Sequence, residues 1–367
     1  LWEAKYTITE STGRSRRVSI YGKSKKEASD KLNAALAAKA RGAPVPHGRD
    51  TLAAFLTDWL EGARRTRNIQ PSTWQRYEAL IRLHVIPQLG RTRLADLRAH
   101  TLRAHYTRLQ EGGLGASTTH HVHRALRRAL SDAVLENRIL INPASRLGWK
   151  RPRAPEMRTL TLDQARQLLE HADDWDRCLF FLAVATGMRS GELLGLKWSD
   201  VDLTPPLPFL RVVRTLLDVR AGLPVYGVPK TMRSRRQIEL SGALATALRG
   251  QQARLKEAHI HVANVWRLDE EGNDLDLVFP TRLGSPRRRA NVTRDFRIAQ
   301  SKFLRRPIRF HDLRHTAATL LLGKMDPKTT SEMLGHSDVS ITLSTYSHAT
   351  PARHREAAEA MAQLLTG

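Results

Sequence analysis

The 367 residues predict a mainly helical, multi-domain fold with small antiparallel β-sheets. Apolar residues recur at three- and four-residue spacing through most of the chain. Period-two alternation is confined to a few short stretches, and two Pro- and cation-rich joints divide a chain longer than one core needs.

Residues 1–22 read as a small sheet. Trp2 to Ile8 alternates, Ser11-Thr12-Gly13-Arg14 turns, and Arg17 to Tyr21 returns. Ser24 and Glu27 have the spacing of a capping box, and the helix they open runs to about Ala40. Residues 42–50, with Gly42, Pro44, Pro46 and Gly48, form a linker.

A helical block spans residues 51–146. Its first helix aligns Leu52, Phe55, Leu56, Trp59 and Leu60. Ser72 with Gln75 caps a second helix bearing Tyr77, Leu80 and Ile81, and Thr101 to Gln110 forms a third, ended by Gly112-Gly113. Ser117 starts a fourth, with Val122, Leu126, Leu130 and Val134 on one side, Arg124, Arg127 and Arg128 beside them, and Asn142-Pro143 as its stop. His120, His121 and His123 read as a polar face of that helix. Residues 147–158 are a second linker, where Lys150, Arg151, Arg153 and Arg158 interleave with Pro152 and Pro155. Such a tether suits a path along phosphates; a solvated linker has the same composition.

Residues 159–367 are mostly helical, opening with a Thr161–Gln164 cap and a helix bearing Leu162, Ala165, Leu168 and Leu169. Residues 209–213, 225–228 and 236–240 are expected to form one small antiparallel sheet.

The formal net charge is +24, with a cationic excess in residues 1–50, 51–146 and the remainder alike. A polyanion contacted along much of the chain is the simplest reading; solvated arginine faces are the bland one. The single cysteine, Cys178, sits in an apolar run and reads as core, which excludes a disulfide framework or thiol-rich zinc site. No apolar stretch reaches the ~18 residues that would span a bilayer, and no secretory signal is visible. A cytoplasmic protein without membrane partners is expected.

The candidate chemistry lies late in the chain: His311-Asp312-Leu313-Arg314, then Leu334-Gly335-His336, then Tyr346. His311 and Arg314 are one helical turn apart, so both can address one small anion, and arginine offers a permanently charged planar fork. Arg189 follows Thr186-Gly187-Met188 at the end of an apolar helix, where a cation needs an anionic partner; Glu192 is within reach. Lys230, expected on a β-hairpin turn, is placed to protonate a leaving oxygen. Tyr346 is a candidate nucleophile that needs positive charge nearby, because a free phenol has pKa ~10. Singly, each has a plain structural reading: a surface helix, an ion pair, an exposed turn lysine, a core tyrosine. Together they are what metal-free attack on a phosphodiester requires. Arg287-Arg288-Arg289 is a further candidate contact to DNA.

These segments resemble the tyrosine recombinase (phage integrase) family: Ala185 to Leu196, Pro229-Lys230-Thr231 with Ser234 and Arg236, His311 to Thr316, Leu334 to Ser337, and Thr345 to His348. The resemblance implies that Arg189 and Arg314 clamp the non-bridging oxygens of the scissile phosphate and that Lys230 is the general acid. It implies that His311 assists proton transfer at the nucleophile, His336 hydrogen-bonds a phosphate oxygen, Tyr346 forms a 3′-phosphotyrosyl link, and Glu192 supports Arg189. It further implies an arm-type DNA-binding domain at 1–41, of a kind that usually starts with another strand before the pattern at Leu1-Trp2, a SAM-like core-binding domain at 51–146 and a catalytic domain at 159–367. Implied partners are double-stranded DNA attachment sites, a homotetramer in the synaptic complex, and DNA-bending and excision factors, with no metal or cofactor. The apolar stripe Ala357, Ala358, Met361, Leu364 and Leu365 implies a tail helix docking on a neighbouring subunit, or packing on its own domain. A type IB topoisomerase would use a similar residue set, and a non-catalytic DNA-binding protein would explain the charge. A zinc site at His311 and His315 is disfavoured, with Asp312 where a glutamate is usual and no third ligand evident.

Overall fold

The computed structural model describes residues 2–9, 15–22, 24–40, 50–66, 69–145, 147–150, 152, 157–227 and 235–335. The chain divides into two compact units, Leu1–Ala154 and Pro155–Gly367.

In the first unit, β1 (Trp2–Thr9) pairs antiparallel with β2 (Ser15–Gly22), Trp2 facing Gly22 and Thr9 facing Ser15. Helix α1 (Lys25–Ala40) packs on both strands and starts where the Glu27 N–H donates to Ser24 Oγ at 3.1 Å. A bare glycine lets the strand run into the helix, because a Cβ on Gly22 would lie 2.5 Å from the Ala28 nitrogen.

The helical block follows with α2 (Leu52–Arg65), capped by Thr51, whose hydroxyl accepts from the Ala54 N–H at 3.2 Å. Its buried face is the expected Leu52, Phe55, Leu56, Trp59 and Leu60. Helix α3 (Pro71–Leu80) begins one residue before Ser72, so the expected Ser72 cap is not its start; Pro71 takes the first turn, where a missing N–H costs nothing. A single π-helical turn, Ile81–Val85, leads into α4 (Ile86–Leu89). Pro87 accounts for it, since proline cannot supply the regular ladder's N–H and its ring crowds the carbonyl four residues back.

Helices α5 (Ala99–Glu111) and α6 (Ala116–Leu135) complete the block. Helix α6 stops before the expected Asn142-Pro143, turning at Asn137 with φ 57°. Asn142 instead pins the returning loop: its Nδ2 donates to the Arg127 carbonyl and to Ser131 Oγ, both at 2.9 Å, and its Oδ1 accepts from the Ala144 N–H at 2.8 Å. His123 is buried rather than part of a polar face, set edge-on to the buried Tyr106 at 5.5 Å. His105 is also buried, its Nδ1 3.1 Å from Gln88 Oε1.

The second unit opens with α7 (Leu162–His171), where Thr161 and Gln164 form the expected reciprocal capping box. Helix α8 (Asp174–Thr186) is the central apolar element, followed by the short α9 (Ser190–Leu194). The expected single sheet is two. Strands β3 (Val201–Asp202), β4 (Phe209–Val212) and β7 (Arg236–Glu239) form one in the order β3-β4-β7, while β5 (Thr215–Arg220) and β6 (Leu223–Gly227) form a separate hairpin. The helices α10 (Gly242–His261), α11 (Arg289–Ser301), α12 (Asp312–Leu322) and α13 (Pro327–Leu334) complete it. Phe296 meets Phe180 and Phe310 edge-on, each at 5.5 Å, joining α11, α8 and the approach to α12 in one core. Cys178 is buried there as expected, its thiol pushed up to about 12 by burial. No helix among the described residues is long and apolar enough to cross a membrane.

Burial depresses His105 and His123 to about 4, with Arg108 adding to the effect at His105 and His120 at His123. The unfolded chain binds these protons near pH 6.5, so between about 6.5 and 4 it holds more protons than the folded unit, and stability falls with pH. Unfolding free energies of the first unit from urea titrations, and the midpoints with them, are expected to drop as the pH is lowered across that window, by on the order of 3 kcal/mol per histidine. His123→Leu should flatten the dependence; a pH-independent midpoint in the parent chain would contradict it.

Candidate active site

Helix α8 ends because Gly187 adopts a left-handed conformation (φ 62°) that closes the last turn onto the Ala183 carbonyl at 3.1 Å. A side chain there would be strained in φ and would also run into Leu334, with Ala317 Cβ 3.3 Å away. The corner turns the chain through Met188, which is buried, and delivers Arg189 to the position preceding α9.

Arg189 is tied at both its ends to Glu192. The Arg189 N–H donates to Oε2 at 3.0 Å and its Nη1 to Oε1 at 2.8 Å. A second guanidinium, Arg236 at the start of β7, donates from Nη2 to Glu192 Oε2 at 3.2 Å. Burial alone would raise the Glu192 carboxyl, but the Arg236 charge and the Arg189 donors outweigh it and hold the group below the usual carboxylate range. Glu192 and Arg236 are nearly sealed, at 3% and 7% side-chain exposure, whereas Arg189 keeps 40%. The cluster therefore presents one approachable guanidinium, held in orientation from behind.

Arg314 reaches the same corner from α12. Its Nη1 donates to the Gly187 carbonyl at 2.8 Å, and the residue is buried. Its helix is started by Asp312, whose carboxylate accepts the Arg309 N–H at 2.8 Å and the Arg309 guanidinium at 2.7 Å. Burial works against that carboxylate's charge, and the Arg309 hydrogen bonds overcome it, so its pKa lies below the usual value. His311 stands at the solvent-facing entry to α12, edge-on to His315 at 5.3 Å. Packing around its ring, then the neighbouring His315 and Arg314, lowers its pKa and favours the neutral imidazole.

Arg236 has a second anchor, its Nε donating to the Met333 carbonyl at 2.8 Å on the last turn of α13. Gly335 ends that helix at φ 68°, and a Cβ there would sit 2.9 Å from Arg236 Nη1. The sequence motif contained Arg236 but gave it no role; the only sequence signal was its place two residues after Ser234.

The structure thus brings Arg189, Glu192 and Arg314 to one corner, with His311 one turn before Arg314. Lys230, His336 and Tyr346, the linker residues Arg151 and Arg153, and the apolar stripe at 357–365 lie outside the described residues. Strands β6 and β7, which flank the Lys230 segment, belong to different sheets; the described hairpin turn is at Ala221-Gly222, between β5 and β6. Arg124, Arg127 and Arg128 are exposed on α6, with Arg128 paired to Asp132 at 3.3 Å, and Lys150 is exposed. Arg287 is not a surface contact: it is buried between Asp176 at 2.5 Å and Asp295 at 3.1 Å. Among the described residues no three His, Cys, Asp or Glu side chains are grouped to hold a metal ion.

Residues 158–353 match the phage integrase family, and residues 51–110 match the phage integrase N-terminal SAM-like domain. A tyrosine recombinase XerC-like protein of Caldanaerobacter subterraneus subsp. tengcongensis is 30% identical across 98% of this chain and 96% of its own length. The ICEBs1 integrase of Bacillus subtilis is 25% identical across 81% of this chain and 79% of its own. Two solved structures share the fold. A Tn1549 transposon integrase in complex with transposon right end DNA gives a TM-score of 0.67 at 22% identity, covering 84% of this chain and 99% of that one. A lambda integrase dimer bound to a core site gives 0.60 at 19% identity, covering 93% and 91%. Matched over more than half its length, and 30% identical to a relative over nearly all of it, the chain belongs to the phage integrase (tyrosine recombinase) family.

Proposed function

We propose that the chain is a site-specific DNA recombinase that integrates or excises a mobile element by cutting and rejoining strands through a 3′-phosphotyrosyl intermediate and a Holliday junction. The observation that carries this reading is the Gly187 corner, where Arg189 and Arg314 are braced together in a chain that continues to Tyr346 in the family's order. Arginines held before the substrate arrives stabilise the charge that builds on phosphorus oxygens without reorganising. The Tyr346 hydroxyl attacks phosphorus and its proton passes toward His311, whose lowered pKa keeps it ready to accept. The bond to the 5′ oxygen breaks, Lys230 supplies that oxygen's proton, and His336 hydrogen-bonds a phosphate oxygen. One phosphodiester is exchanged for another, so resealing needs no nucleotide or metal.

Double-stranded attachment-site DNA is the substrate, and the net charge of +24 suits a long polyanion. Arg124, Arg127, Arg128, Lys150, Arg151 and Arg153 are assigned to its backbone. Structural relatives support the assembly: a lambda integrase tetramer is known bound to a Holliday junction, and a Tn1549 integrase bound to a circular intermediate. A homotetramer at synapsis follows, with DNA-bending and excision factors as further partners.

The reading is tested by trapping protein on nicked duplexes from the ends of the element. Wild type is expected to form a denaturant-resistant adduct and Tyr346→Phe none, while Arg314→Lys should slow adduct formation by about 10²-fold or more, as for loss of a preorganised donor. An adduct with Tyr346→Phe would refute the assignment, and plasmid relaxation without strand exchange would favour a topoisomerase.

The pH profile gives a separate check. Since His311 works as the neutral ring and its pKa is lowered, the acid limb of the single-turnover rate should lie below ~6.5, the ordinary imidazole value. That limb should disappear in His311→Gln; a limb unchanged by the substitution would remove His311 from the proton path.

A further inference from the structure

We propose that Arg236 is a positioning residue for strand cleavage, bracing Arg189 through Glu192 on one side and, on the other, holding the end of α13 at Met333 and Gly335. The inference rests on the recombinase reading above and extends it to a residue that the phosphate clamp does not include.

The backbone of Arg236 is fixed by the β4–β7 ladder, where it stands opposite Val212. Its side chain then runs inward, at 7% exposure against 40% for Arg189, with Nε and Nη2 both held by protein acceptors. Its two anchors lie on different elements. Nη2 holds Glu192 Oε2 at 3.2 Å, and that carboxylate's other oxygen receives Arg189 Nη1 at 2.8 Å. Nε holds the Met333 carbonyl at 2.8 Å. The next residue but one is Gly335, whose Cα face lies so close to the guanidinium that a Cβ would come within 2.9 Å of Nη1 and 3.2 Å of Cζ. His336 follows directly in the sequence. One planar fork therefore sets the distance between the carboxylate that orients Arg189 and the helix end that precedes His336. A lysine, with a single donor centre, cannot span both anchors at once.

The experiment is single-turnover cleavage of a nicked duplex whose cut position has been mapped from wild-type adducts. Wild type is compared with Arg236→Lys, Arg236→Gln, Glu192→Gln and the Arg236→Gln/Glu192→Gln double variant, with DNA dissociation constants and thermal midpoints measured alongside. Arg236→Gln is expected to lower the cleavage rate at saturating DNA by roughly 10- to 100-fold, the scale on which small misplacements act. DNA affinity should stay within about threefold, since Nε and Nη2 are committed to protein acceptors. Arg236→Lys keeps a charge opposite Glu192 and is expected to melt near wild type yet still cleave about tenfold more slowly, a loss that a merely structural role would not produce. The double variant should be no slower than the worse single variant, because both act through one link.

Wild-type cleavage by the well-folded Arg236→Lys protein would overturn the proposal, as would strictly additive losses in the double variant. If Arg236→Gln does not fold, Arg236→Lys decides. Failure of the underlying reading is separate: the wild-type protein itself would then form no adduct.

Discussion

A carboxylate with almost no access to water, Glu192, sets the terms for the second unit's candidate site. Removing such a charge from solvent costs several kcal/mol unless donors surround it. Here three do: the Arg189 N–H, the Arg189 guanidinium and the Arg236 guanidinium. Two arginines against one carboxylate leave an excess of positive charge. Buried ion pairs contribute little net stability compared with apolar packing of the same volume, so thermodynamic strength is a poor explanation for the cluster. Orientation is the better one. Glu192 grips both the backbone and the side chain of Arg189, which fixes the direction of a guanidinium that remains open to a ligand.

The Gly187 corner works by geometry rather than charge. A left-handed residue without a Cβ lets Leu334 and Ala317 close over the end of α8, and the same residue's carbonyl receives Arg314. Two arginines separated by more than a hundred positions therefore share a reference point two residues before Arg189. The apolar contact of α8 with α12 and the edge-on phenylalanines of α8, α11 and the approach to α12 hold that reference in place. Core packing is thus upstream of the chemistry: it sets where the guanidiniums are before any ligand arrives.

Local signals were legible in the sequence and non-local ones were not. The Thr161–Gln164 box and the apolar face of α2 are written in residues three and four apart, and both form as read. Ser72 misleads because Pro71 is a better first-turn residue than Ser72 is a cap, and α6 ends early because Asn137 adopts a left-handed turn long before Asn142. Of the strands around 209–240, β4, β6 and β7 are visible in the sequence and β5 is not, so the partner that β6 actually takes is missing from the reading that joins all three in one sheet. His123 is a buried residue on an otherwise exposed-looking triplet of histidines, because the apolar stripe of α6 passes through it. The role of Arg236 was least accessible of all, since its partners lie 44 and 97 residues away.

The same limit governs how the charge of +24 should be understood. Arg236 and Arg287 are buried and committed inside the protein, the first to Glu192 and the Met333 carbonyl, the second to Asp176 and Asp295. Others on the surface already face carboxylates one helical turn away, as Arg65 does with Glu61, Arg82 with Glu78 and Arg128 with Asp132. Those surface pairs are weak, worth about 0.3–0.5 kcal/mol, and screened by salt. A phosphate can displace such a carboxylate at little cost, whereas taking Arg287 from the buried Asp176 and the part-buried Asp295 would leave uncompensated charge in the interior. Exposed Arg124 and Arg127 on α6 and Lys150 are accordingly available to a polyanion, Arg128 is available by exchange, and Arg287 is not. Net charge measures attraction at a distance; what a cation is already paired with, and how deeply, decides what contact with a polyanion costs.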